Sequence, residues 1–150
     1  MSRQSEERRL LKIRRFTIIF TLLLVPSLVY GCTGQTGAVG QVLEDIGAQE
    51  ALELMQRNQG NPDFMIIDIR TPEEFDESYI ENAINIDFYS DTFKEDLDKL
   101  DKDKPHLIYC RGGNRSNQAI PVMKELGFKE VYNLSVGIKA WIAEGLPVVP

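Results

Sequence analysis

From residue 41 onward, hydrophobic positions fall into short solid runs separated by stretches with helical spacing. Phe64-Met65-Ile66-Ile67-Asp68-Ile69 and His106-Leu107-Ile108-Tyr109 are nearly continuous apolar runs, as expected of strands covered on both faces. Gln41 to Ile46, Ala83 to Ile86 and Val131-Tyr132 read as further strands. Between them lie helical patterns: Ala48 to Asn58, with Ala51, Leu52, Leu54 and Met55 on one face; Asp91 to Leu100; about Ser116 to Leu126, stopped by Gly127; and Ile138 to Glu144, ended by Gly145 and Pro147. Thr71-Pro72-Glu73-Glu74 opens another helix, with Thr as N-cap, Pro at the first position and Glu three after the cap. Pro121 falls inside its helix, where it should remove a backbone bond and bend the axis at a cost of roughly 3 kcal/mol. Strands alternating with helices at this spacing predict a single α/β domain, 41–150, with a central, mainly parallel sheet flanked by helices.

The first 31 residues follow a different rule. Residues 3–15 are basic, and Phe16 to Tyr30 is an apolar run interrupted by Pro26 and Ser27. A spanning helix needs about 20 apolar residues, so residues 1–31 read as a signal peptide. Leu28-Val29-Tyr30-Gly31-Cys32 resembles the lipobox of bacterial lipoproteins, in which the chain is cut before the Cys and the sulfur receives a diacylglycerol; Tyr30 is bulkier than the usual residue there. Cys32 is thus the expected lipidation site, with an uncleaved anchor and an ordinary secretory signal as alternatives. Residues 32–40 are rich in Gly and Thr and read as a flexible tether. Each alternative puts the domain outside the cytoplasmic membrane, in the cell envelope and attached to the membrane through its N-terminus, or secreted or periplasmic.

Charge sharpens the division. Residues 1–31 carry a net +4, which leaves −10 for the rest of a chain whose total is −6. A domain so acidic is unsuited to nucleic acid, whose binding rests on cationic contacts with phosphate. Only two cysteines are present, Cys32 and Cys110, so no disulfide framework is expected, and neither has the neighbours of a zinc site. The only histidine, His106, reads as a strand-edge side chain and rules out a chemistry built on several histidines. No metal or cofactor is expected.

The chemistry concentrates in Cys110-Arg111-Gly112-Gly113-Asn114-Arg115-Ser116. A Cys at the carboxyl end of a buried parallel strand lies where open α/β sheets place their ligands. Two glycines are expected to let the backbone curl with positive φ. Successive N–H groups can then form a nest, backed by the positive end of the next helix. Arg111 and Arg115 add cationic donors. Such surroundings favour a thiolate, the nucleophilic form of cysteine.

Cys110-Arg111-Gly112-Gly113-Asn114-Arg115 fits the active-loop pattern C-x-x-G-x-R of the rhodanese domain, and the chain resembles that family over about residues 41–150. The blocks Asp68 to Phe75, Ile80 to Ile86, Gly127-Phe128, Val131 to Leu134, Gly137-Ile138, Ala140-Trp141 and Gly145 to Val148 follow in the family's order. Ser78-Tyr79-Ile80 stands where members usually have Gly-His-Ile, and Val136-Gly137 where many have a Gly pair. The resemblance implies that Cys110 is a sulfur-carrying nucleophile, that the amides of Gly112 to Ser116 bind its persulfide, and that Arg111 and Arg115 orient anions. The reactants it implies are small sulfur-containing anions and a thiol or cyanide acceptor. Asp68, Arg70 and Glu74 match a block taken as structural, with Arg70 and Glu74 at the i,i+4 spacing of a helical salt bridge. Two other readings stand beside this one: a membrane-tethered module that binds a partner protein through its acidic helix, and a phosphatase or arsenate reductase on the same fold. The phosphatase spacing has five residues between Cys and Arg; here there are four, which suits a single sulfur better than a tetrahedral oxyanion.

Overall fold

The computed structural model describes residues 40–150. The leader at 1–31 and the tether at 32–40, except for Gly40, lie outside the described residues, and Cys32 with them.

Five strands, β1 (Val42–Ile46), β2 (Met65–Asp68), β3 (Ala83–Asn85), β4 (Pro105–Tyr109) and β5 (Glu130–Leu134), form one sheet in the order β1-β5-β4-β2-β3. Every neighbouring pair is parallel. The connections carry the helices α1 (Ala48–Arg57), α2 (Pro72–Glu77), α3 (Phe93–Asp98), α4 (Asn114–Leu126) and α5 (Gly137–Ala143). The α/β architecture expected from the apolar pattern is the one observed.

Side chains on a strand alternate between faces, and β4, central in the sheet, separates two cores by this rule. Leu107 and Tyr109 pack with Ala51 and Leu54 of α1 and with Ile138 and Trp141 of α5. Ile108 and Cys110 pack on the other face, with Leu97 of α3 and Ala119 and Met123 of α4. The sulfur therefore emerges on the face where α4 begins. That helix starts two residues earlier than the sequence predicts and runs unbroken through Pro121, which lies on its exposed side. Lys94 of α3 reaches Glu125 of α4 at 2.8 Å and ties these two helices across their exposed edges.

His106 is not a strand-edge residue. Its strand is flanked by β5 and β2, and the ring is fully buried, edge-on to Phe128 at a centroid distance of 4.9 Å. Neither ring nitrogen has a hydrogen-bond partner among the described residues. Burial pushes its pKa down; the nearby backbone of Lys104 and Glu130, and the carboxylates of Asp101 and Glu130, oppose that only in part. The folded chain thus keeps the ring neutral, whereas the unfolded chain protonates it below about pH 6.5. Stability from this residue is present above that value and declines as pH falls below it. The urea midpoint is expected to drop between about pH 7.5 and 5.5, and His106→Phe to flatten that segment of the profile. An unchanged slope in the variant would assign the loss to other groups.

Candidate active site around Cys110

Cys110 is the first residue past β4, and the backbone there is held from two sides. The carbonyls of Cys110 and Arg111 accept the amides of Ile138 (2.9 Å) and Lys139 (3.0 Å) in the first turn of α5. With these carbonyls turned toward α5, the following amides are free to face the sulfur. The Gly113 amide donates to Cys110 Sγ at 3.2 Å. Ser116 Oγ lies 3.7 Å from the sulfur and donates to the Gly113 carbonyl at 3.1 Å. A hydroxyl so placed can swing its proton to the sulfur when the sulfur becomes anionic.

Only one of the loop glycines has the conformation expected of both. Gly113 has φ +89°, and a Cβ on it would stand 1.8 Å from the Ser135 carbonyl oxygen. Gly112 has no positive φ, and a Cβ there would meet nothing within 4 Å. The second position that demands glycine lies in another segment. Gly137, at φ +67°, lets its backbone approach Arg111 and Gly112 so closely that a Cβ would fall 2.5 Å from both. The cradle is thus the 110–116 loop locked against 135–137.

Electrostatics follow from this geometry. Burial alone would raise the thiol pKa, since Cys110 is only 1% exposed. The Ser116 and Gly112 amides, the Ser116 hydroxyl and the Gly113 amide outweigh burial and hold it below the ordinary thiol value. The sulfur also lines an open cleft of about 500 Å³, bordered by Thr71, Glu74, Tyr89, Arg111, Arg115 and Lys139 among others.

Arg115 gives its hydrogen bonds to a carboxylate rather than to the sulfur, although its charge lies near enough to interact with Cys110. Its guanidinium grips Glu74 with two hydrogen bonds, 2.6 and 3.0 Å, and lies over the Tyr89 ring at 5.6 Å. Glu74 is held in turn: it closes a capping box with Thr71 at the start of α2. The expected Arg70–Glu74 salt bridge is absent, because α2 begins at Pro72 and Arg70 precedes the N-cap, off the helical path. Arg70 instead binds Asp68, its Nη2 lying 2.6 Å from Oδ2, and the Ser78 carbonyl. The Asn85 amide donates to the carbonyls of both Asp68 and Arg70. This buried pair fixes the turn that delivers Thr71 and Glu74 to the cleft. Asn114 opens α4 with an exposed side chain that accepts from Gln118, and Arg111 is exposed at the rim.

The Glu74–Arg115 clamp should be measurable. Arg115 is the main cause of a Glu74 carboxyl pKa held below the ordinary carboxylate value. Glu74→Gln is expected to cost about 1–3 kcal/mol in urea denaturation at neutral pH, the scale of hydrogen bonds to charged groups. The wild-type advantage should be complete above about pH 4.3 and lost as pH falls through the Glu74 pKa. Equal stability of the two proteins at neutral pH would dissolve the clamp.

Lys139, Tyr89, Ser135 and Gly137 were not marked as site residues by the sequence, although Gly137 lies in a family block. Their signal is tertiary: they come from the β3–α3 connection, the β5–α5 connection and the first turn of α5, which converge only in the folded sheet.

Comparison with known proteins agrees with this architecture. The family model for the rhodanese-like domain matches residues 48–144. A sulfurtransferase of Allochromatium vinosum is 36% identical over 96 residues, 64% of this chain and 88% of its own length. The thiosulfate sulfurtransferase GlpE of Coxiella burnetii is 35% identical over 100 residues, 67% of this chain and 88% of its own. A tRNA uridine(34) hydroxylase of Photorhabdus laumondii is 38% identical over 111 residues, but only 31% of that protein is covered. Among solved structures, a rhodanese-related protein of Thermoplasma volcanium aligns with TM-score 0.58 and 32% identity, covering 71% of this chain and 97% of that one. The family match spans most of the described domain, and the chain belongs to the rhodanese-like domain family.

Proposed function

We propose that this chain is a sulfurtransferase that takes a sulfane sulfur onto Cys110 from a donor such as thiosulfate and passes it to cyanide or a thiol. The observation that carries the reading is the ring of amides and the Ser116 hydroxyl around a sulfur with lowered pKa. In the first half-reaction the Cys110 thiolate attacks the outer sulfur of thiosulfate. The donor S–S bond breaks, sulfite leaves with the electron pair, and Cys110 carries a persulfide. In the second, the acceptor attacks the terminal sulfur, and thiocyanate or a new persulfide leaves while the thiolate returns. The amides that hold the thiolate are equally suited to the persulfide anion, so no separate general base is needed.

The names of the relatives, sulfurtransferase and thiosulfate sulfurtransferase, support the same class. A purely partner-binding module would have no use for a cradle that lowers the pKa of a thiol. Phosphoryl chemistry is disfavoured because Arg115 is committed to Glu74 rather than open to an oxyanion. The test is thiocyanate release from thiosulfate and cyanide by the full-length chain, together with mass spectrometry of the Cys110 peptide after thiosulfate alone. Turnover with one added sulfur atom on Cys110 is expected; no loading from any sulfane donor would contradict the reading.

The basic leader and the Gly31-Cys32 pair support an extracytoplasmic domain anchored by lipid on Cys32. A mature N-terminus at a diacylglycerol-bearing Cys32 is the expected product in bacterial membranes. An uncleaved leader would overturn the lipoprotein part of the proposal.

A further inference from the structure

Arg115 shares its charge with Glu74, whereas Arg111 and Lys139 border the same cleft with no carboxylate partner among the described residues. Of the Lys and Arg among the described residues, only Arg111, Lys124, Lys129 and Lys139 have no carboxylate of the described residues within ion-pair distance. Two of these four border the sulfur cleft. The one carboxylate bordering it, Glu74, is consumed by Arg115. The cleft therefore presents two uncompensated positive charges in a domain whose net charge is −10.

Transfer needs such a local reversal. A thiolate meeting thiosulfate brings three negative charges into one cleft, and persulfide plus departing sulfite carry the same total. Without local cations the domain's own charge would repel the donor, whereas a cleft of opposite sign concentrates it. Lys139 is well placed for this: its amide is tied to the Arg111 carbonyl, which fixes the two cationic residues side by side at the rim. We propose that Lys139 is a specificity-determining residue that acts with Arg111 to select anionic sulfur donors. The proposal rests on the sulfurtransferase reading for its substrate class, but the charge of the cleft can be probed without it.

Methanethiosulfonate reagents provide the probe. The thiolate forms a disulfide with the reagent's outer sulfur, the reagent's S–S bond breaks, and methanesulfinate leaves with the electron pair. Reagents bearing an anionic sulfonate, a neutral methyl or a cationic trimethylammonium group differ in charge while sharing that chemistry. Labelling is read on the Cys110 peptide of the full-length chain at low ionic strength, alongside single-turnover loading by thiosulfate. A unit cation some 6 Å from a dianion in a water-facing cleft is worth roughly tenfold. Lys139→Ala is expected to slow thiosulfate loading about 10-fold and the anionic reagent severalfold, with the neutral reagent changed less than about 2-fold. Lys139→Glu should deepen the loss and favour the cationic reagent, Lys139→Arg should restore the wild-type ratio, and added salt should compress every difference.

An unchanged anionic-to-neutral ratio in Lys139→Ala and Lys139→Glu, or an equal loss for all three reagents, would overturn the proposal. If the ratio shifts as expected while thiosulfate deposits no sulfur, the selection of anions stands and the sulfurtransferase reading falls.

Discussion

Cys110→Ser is expected to lower thiocyanate formation by about three orders of magnitude or more, the scale on which enzymes lose activity with their nucleophile. The substitution is close to isosteric and leaves the backbone cradle intact, so loss of fold should not contribute. What disappears is the ability to ionise. The same amides that outweigh burial for a thiol cannot bring an alcohol to its anion near neutral pH. The variant should bind anions at the rim as before, through Arg111 and Lys139, and carry no sulfur on the 110 peptide. Activity within a few-fold of wild type would remove Cys110 from the chemistry.

Gly113→Ala should have the largest structural effect in the loop. The residue sits at φ +89°, where a side chain is strained, and the new Cβ would fall 1.8 Å from the Ser135 carbonyl oxygen. Backbone strain of about 1–3 kcal/mol and overpacking of similar size add to an expected loss of roughly 2–6 kcal/mol in urea denaturation. The obstacle is backbone rather than a movable side chain, so the loop must retreat from Ser135 and draw the Gly113 amide off the sulfur. Gly112→Ala is the matched control. It has ordinary φ and open space around the site of the added methyl group, so stability should stay within about 0.5 kcal/mol. Equal effects of the two substitutions would show that the 135–137 clamp does not hold the loop.

The contrast between these two glycines also marks where sequence reasoning stops. The strands were legible because burial on both faces leaves a solid apolar run, as in Ile66-Ile67 and Leu107-Ile108-Tyr109. The start of α2 was legible because Thr71, Pro72 and Glu74 act within one turn, and all three do what their positions suggest. Cys110 and its loop stood out because seven consecutive residues carry the pattern. By contrast, which glycine needs a positive φ depends on Ser135, a residue brought in by the neighbouring strand. Arg70 and Glu74 have helical spacing in sequence, but the helix starts between them, so each finds another partner. His106 reads as a strand-edge side chain in the sequence, but β4 has parallel neighbours on both sides and the ring is buried edge-on against Phe128. Nothing in the sequence singles out Lys139 within its short helix, and only the convergence of α5 on the 110–116 loop places it at the cleft.

Every part of this account needs an ionised sulfur at residue 110, and its titration is the direct measurement. Rates of alkylation by neutral iodoacetamide, followed on the Cys110 peptide across pH, report the thiolate fraction without interference from rim charge. The half-maximal rate is expected at a pH below the ordinary thiol value of about 8.5, with reactivity declining as pH falls through that midpoint. Ser116→Ala, which removes one of the lowering groups, should move the midpoint upward. A midpoint at or above the ordinary thiol value would mean that apolar burial prevails over the surrounding amides, and it would contradict the account.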